Sequence, residues 1–160
     1  MVVDQDALVA LVAALEDEAR GLVLTRFTND DAWALGSRLW KTARERGLSV
    51  AISVRRGEQL LFHAARPGTS ADNDAWIARK ERLVRRTETA SYLVGRRLAV
   101  KGDRLEDRGL DPLLYAAAGG CVPIVVEGVG MVGTVTVSGL AQEDDHALVV
   151  EALRALRAGA

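Results

Sequence analysis

Ser138, Asp144, Asp145 and His146 bring a hydroxyl, two carboxylates and an imidazole into the nine consecutive residues SGLAQEDDH. A serine, a histidine and an aspartate could form a hydrolytic triad, the imidazole taking the hydroxyl proton and the carboxylate orienting the ring. The chain has no G-x-S-x-G elbow around Ser138, however, and no oxyanion signature. Asp144, Asp145 and His146 could join His63, the other histidine, as metal ligands. Adjacent residues on a helix point apart, so two of them at most converge, and no metal site is expected. Helix-start acids also have a plainer use. They complement the positive end of the macrodipole by about 0.3–1 kcal/mol each at exposed sites.

A second cluster is Asn73, Trp76, Arg79 and Lys80, at the start of a long helical pattern. Helix N-termini carry free N–H groups that suit a carboxylate or phosphate. The two helix starts, with Ser138, Gly139 and His146 on the second, are expected to border one pocket for a small anionic ligand. His63, on a strand, is a further candidate contact. Arg82, Arg85 and Arg86 with Arg79 and Lys80 read as a solvated charged face, partly paired with Glu81 and Glu88.

Gly128, Gly130 and Gly133 match the dinucleotide pattern G-x-G-x-x-G. That fingerprint needs a helix after it, to hold a pyrophosphate at its N-terminus. Here the β-branched run MVGTVTV follows, so the glycines read as a hairpin turn after PIVVE.

With 21 basic and 22 acidic residues, net charge −1, no global field recruits nucleic acid. No apolar run nears the roughly 20 residues of a membrane span. The start of the chain, with Asp4 and Asp6, lacks the basic region of a signal peptide. Cys121, the only cysteine, sits among Val122, Ile124 and Val125 and reads as a small buried hydrophobe. The expectation is one cytoplasmic domain over residues 1–160.

The elements that must position these groups follow from periodicity. Leu8, Leu11, Val12, Leu15 and Ala19 make one helical face after Asp4 as N-cap, with Gly21 as the stop. Residues 22–27 read as a short strand. Thr28 and Asp31 make a capping box for the next helix, whose Trp33 and Trp40 share a face that is core or a subunit interface. LSVAISVRRGEQLLFHA is a hairpin turning at Arg56-Gly57, with Leu61 and His63 on one face and Leu60 and Phe62 on the other. Asp72 or Asn73 should cap a long helix reaching Val94, with Gly95 as its stop and residues 96–111 as a surface loop. A last helix begins near Ala141. About five strands with helices on the faces make an α+β layered sandwich with a mostly antiparallel sheet.

LLFHAARPGTSADNDAWIARKERLV, GGCVPIVVEG, VGTVTVSGL and QEDDHALVVEAL together resemble the haem-degrading-domain family of HbpS- and GlcG-like proteins and PduO C-terminal domains. The patterns N-x-x-W-x-x-R-K (Asn73, Trp76, Arg79, Lys80) and S-G-L-x-Q-x-x-D-H (Ser138, Gly139, Leu140, Gln142, Asp145, His146) resemble the branch that includes a yeast protein. The likeness runs from about Leu22 to Leu156. It implies a profilin-like α/β/α fold, homo-oligomers from dimers upward, and haem binding or degradation in some members. As axial donors this chain offers His63 and His146, without a C-x-x-C-H attachment. The leading expectation is a homo-oligomeric domain that binds a small anionic ligand or a protein partner, with no complete catalytic motif. The alternative is a haem-binding or haem-degrading protein.

Overall fold

A computed structural model describes residues 4–159. Helix α1 (Gln5–Arg20) starts where the Asp4 carboxylate accepts from the N–H groups of Asp6 and Ala7. Helix α2 (Asn29–Glu45) starts at the expected box: Thr28 Oγ1 accepts from the Asp31 N–H, and the Asp31 carboxylate accepts from the Thr28 N–H. Strands β1 (Ala51–Arg56) and β2 (Gln59–Ala65) form the first hairpin. Helices α3 (Ala71–Thr87) and α4 (Ser91–Lys101) follow, then a 3₁₀ turn over Glu106–Arg108. The second hairpin, β3 (Cys121–Val126) and β4 (Gly130–Ser138), leads into α5 (Gln142–Arg157).

The four strands stand in the order β2-β1-β4-β3, every neighbouring pair antiparallel. Alternation divides the sheet into two unlike faces. Ile52, Val54, Val122, Ile124, Val135 and Val137 join Leu35 and Leu39 of α2 and Val149 and Leu153 of α5 in the main core. The other face carries Ser53, Thr134 and Thr136, all buried, and α3 covers it. Glu81 of α3 answers part of that polarity: its carboxylate accepts from Ser53 Oγ at 2.9 Å and from Arg55 Nε at 2.8 Å, while the Thr134 and Thr136 hydroxyls are buried without a partner. One side of the sheet is thus sealed by apolar packing and the other partly by buried hydrogen bonds.

Several expectations need correction. Residues 22–27 form no strand; Leu24 makes a single parallel bridge to Val126 before Thr28 opens α2, so the sheet has four strands. The long helix breaks at residues 88–90. There Glu88 takes a left-handed conformation (φ 51°), and the hydroxyls of Thr87 and Thr89 donate to nearby carbonyls. Such side-chain bonds compete with the helical ladder. Ser70 is the cap of α3, while Asn73 is the reciprocating residue of its box. Residues 96–101, expected in a loop, belong to α4, which stops at Gly102. Gly95 lies inside α4 and not at its end; the helix passes so close to the Ala117 carbonyl oxygen there that a Cβ would stand 2.2 Å from it. Trp33 is 65% exposed, edge-on to Phe62 at 5.5 Å, so a core role falls only to the partly buried Trp40.

Candidate functional site

The start of α3 and the β4–α5 junction meet around a cleft of about 260 Å³. Asn73, fixed by its capping box, donates from Nδ2 to the Ser138 carbonyl at 3.4 Å. Lys80 stands seven residues further on, the same face two turns along. It is 3% exposed, and its Nζ donates to the Val137 carbonyl at 3.2 Å and to Asp145 Oδ2 at 3.3 Å. Asp145 also accepts from the N–H groups of Gly139 and Leu140. Gly120 (φ 133°) makes room for this contact, since a Cβ there would lie 2.8 Å from Lys80 Nζ. Lys80 and Glu81 are therefore the buried members of a run that its sequence suggested was solvated.

Burial sets the electrostatics of the pair. It pushes the Lys80 ammonium below its ordinary value, and the Asp145 charge restores only part of that. It pushes the Asp145 carboxyl up, against Lys80 and the N–H groups of Leu140 and Gly139. The polar groups lining the cleft largely satisfy one another.

Asn73, Trp76, Lys80, Ser138 and Gly139 line this cleft together. Arg79, His63 and His146 do not. The Arg79 guanidinium lies over the Trp76 ring at 4.4 Å and donates to the Pro112 carbonyl at 2.6 Å, holding down the segment before β3. His63 makes a surface contact with Asp74 at 2.6 Å. His146 lies in a different place altogether.

That place is a second cleft, of about 360 Å³, between α1, the α3–α4 junction and β3. Leu15, Leu22, Leu93, Val122 and Val125 supply apolar walls. His146, buried beside Tyr92, meets Glu18 Oε1 through Nε2 at 2.6 Å. With Nε2–H donating to the carboxylate, Nδ1 keeps a lone pair, buried and without a partner. Arg97 closes one side through its pair with Glu16 at 2.9 Å. Glu18 was not singled out by its sequence, yet a signal exists. In the stripe Leu8, Leu11, Leu15, Glu18, Leu22, the three- and four-residue spacing puts one carboxylate where an apolar residue belongs.

Among the described residues no group of three or more His, Cys, Asp or Glu side chains could hold a metal ion, and no helix is long and apolar enough to cross a membrane. Burial pushes the Cys121 thiol up to about 12, which removes the thiolate as a nucleophile or ligand.

The profile of the family described as "Haem degrading protein HbpS-like" matches residues 27–154. A UPF0303 protein of Streptomyces coelicolor is 62% identical over 143 residues, covering 89% of this chain and 90% of its own length. Another, of Acidobacterium capsulatum, is 48% identical over 149 residues, covering 92% and 88%. The crystal structure of Ybr137w protein superposes with a TM-score of 0.87 at 30% identity, over 99% of this chain and 98% of that one. The crystal structure of a PduOC:haem complex has a TM-score of 0.66 at 16% identity, over 81% and 94%, a likeness of fold alone.

Proposed function

This chain belongs to the HbpS-like family of haem-degrading proteins, and we propose that it is a small-ligand-binding domain whose ligand lies between α1, α4 and β3. One observation carries the reading: the contact between partly buried Glu18 and buried His146 stands beside the apolar wall that Leu15, Leu22, Leu93, Val122 and Val125 give a cleft of about 360 Å³. Ligand sites are typically apolar concavities with a few convergent polar groups. Burying an imidazole is costly unless its hydrogen-bonding capacity is used, and His146 Nδ1 is buried without a partner. The cleft beside α3 has less capacity to offer, because an anion there would meet Asp145 as well as Lys80. We assign Asn73, Trp76, Lys80, Ser138 and Gly139 to positioning the two helix starts.

The test uses one apolar body with three head groups: 2-phenylethanol, 2-phenylethylamine and 3-phenylpropanoate. At least one should shift the amide NMR signals of Leu93, Val122 and His146. Ala19→Trp, at an exposed position on α1 that lines the cleft, should abolish those shifts. Absent shifts, or shifts that persist in Ala19→Trp, would overturn the proposal.

Haem, the alternative suggested by the family, suits these residues poorly. His146 Nδ1 is sealed and Cys121 stays protonated, which leaves surface His63, held through Nε2 by Asp74, as the accessible histidine. Hemin titration should give no defined Soret band that changes in His63→Ala or His146→Ala; such a band would restore the haem reading. A cytoplasmic location and a homo-oligomer, or a protein partner on exposed Trp33 and Leu60, belong to the same proposal. Light scattering tests the assembly, and a monomer at all concentrations would remove it.

A further inference from the structure

We infer that the ligand of the cleft between α1, α4 and β3 is an amphiphile with a primary ammonium head and an apolar body, an inference that rests on the binding reading above. The argument comes from the charges around the cleft, taken element by element. On α1, Glu16 is paired with Arg97 of α4, and Arg20 with Asp17, so each cation at this cleft already faces a carboxylate. Glu18 holds His146 at 2.6 Å and has only a long contact, 3.6 Å, with the exposed Arg154 of α5. An ionised carboxylate offers about four lone-pair sites. Glu18 therefore retains acceptor capacity at the cleft wall. At the α3–α4 junction Glu88 has no cationic partner within 4 Å among the described residues. It is also the described non-glycine residue with a left-handed backbone, so the chain holds this carboxylate at the cleft in a conformation that favours glycine.

Three acids, Glu16, Glu18 and Glu88, thus line this cleft against two arginines, Arg20 and Arg97, each already paired with a carboxylate. An ammonium supplies three donors and no acceptor, which matches Glu18 and, nearer the solvent, Glu88. A carboxylate head would meet both acids with Arg97 already engaged. An alcohol could bond to Glu18 but would leave the charge of Glu88 unanswered. The apolar body would lie along Leu15, Leu93 and Val122.

The same three compounds, titrated at low salt, test the class. A charge-assisted bond is roughly twice as strong as a neutral one, so 2-phenylethylamine should bind about tenfold more tightly than 2-phenylethanol. The carboxylate should bind most weakly. Glu18→Gln keeps an acceptor for His146 and should bring the amine to within about two- to threefold of the alcohol, the remainder being the share of Glu88. Glu88→Gln, an exposed change that leaves the packing alone, should reduce the amine-to-alcohol ratio about two- to threefold. Added salt should weaken the amine alone. If the alcohol or the carboxylate binds as tightly as the amine, and Ala19→Trp still abolishes binding, the ammonium class is overturned and the binding site stands. An amine-to-alcohol ratio unchanged in both glutamate variants also overturns it. If none of the three binds, both readings fall.

Discussion

Lys80 and Asp145 are 65 positions apart in the chain and 3.3 Å apart in space, each almost wholly withdrawn from water. The contact ties α3 to the start of α5 across the end of β4, and it decides how the two helix starts sit. Breaking a buried pair leaves an uncompensated charge, which typically costs about 3–5 kcal/mol. Lys80→Met and Asp145→Leu should each destabilise the fold by that amount in urea titrations. The double variant should lose less than the sum of the two. A strictly additive double variant would show that the pair is not coupled.

The same pair gives a pH signature. The folded pKa of Asp145 lies above its unfolded value of 3.8, so between the two the native state binds the extra proton. Stability from this group therefore falls as pH rises from about 3.8 through the folded value. Lys80 has the opposite slope at the alkaline end, gaining stability as pH rises towards 10.5. The stability of the wild type relative to Asp145→Asn should decline as pH rises above 3.8. A difference that is flat, or that grows with pH there, contradicts the assignment.

Cys121 should be inert in the native protein. Its thiol is fully buried, held up at about 12, and lies beside the Ser91 hydroxyl that bonds the Cys121 backbone on both sides. Labelling by a disulfide reagent at neutral pH should follow the fraction unfolded through a urea series. Fast labelling without denaturant would show local opening of β3 from α4.

Two positions with positive φ should respond in opposite directions. Gly139 (φ 150°) lies where a Cβ would stand 2.2 Å from the Ser49 carbonyl oxygen, so Gly139→Ala should cost about 1–3 kcal/mol. Glu88 holds a left-handed helical conformation (φ 51°) without being glycine, so Glu88→Gly should be neutral or stabilising by up to about 1 kcal/mol. Thermal unfolding of the two variants separates backbone strain from side-chain contacts.

The local signals were readable because their physics is local. Asp4, Thr28 with Asp31, and Gly128 with Gly130 act within a few residues of themselves, and the structure puts caps and turns at each. The break at Glu88 was hidden because an amphipathic pattern continues through it, while the decision lies with the hydroxyls of Thr87 and Thr89. Residues 22–27 have strand composition, yet only Leu24 finds a partner. The meeting of Asn73 and Lys80 with Ser138 and Gly139 was legible as two motifs, but not which charge would neutralise which. Lys80 had no sequence mark separating it from Arg79. The cleft holding His146 was less visible still, because its other half, Glu18, looks like one more acid on an N-terminal helix.

The strand order β2-β1-β4-β3 has a kinetic consequence. Each hairpin closes a short loop and can form early, but the sheet exists only once β1 finds β4, with Ser53 opposite Thr136. Everything between them, including α3 and α4, must be gathered into one loop before that ladder is rewarded, and such non-local closure slows folding. The central ladder is then the natural rate-limiting step. Substitutions at Ile52 or Val135, on that seam, should slow refolding more than equally destabilising changes within either hairpin turn.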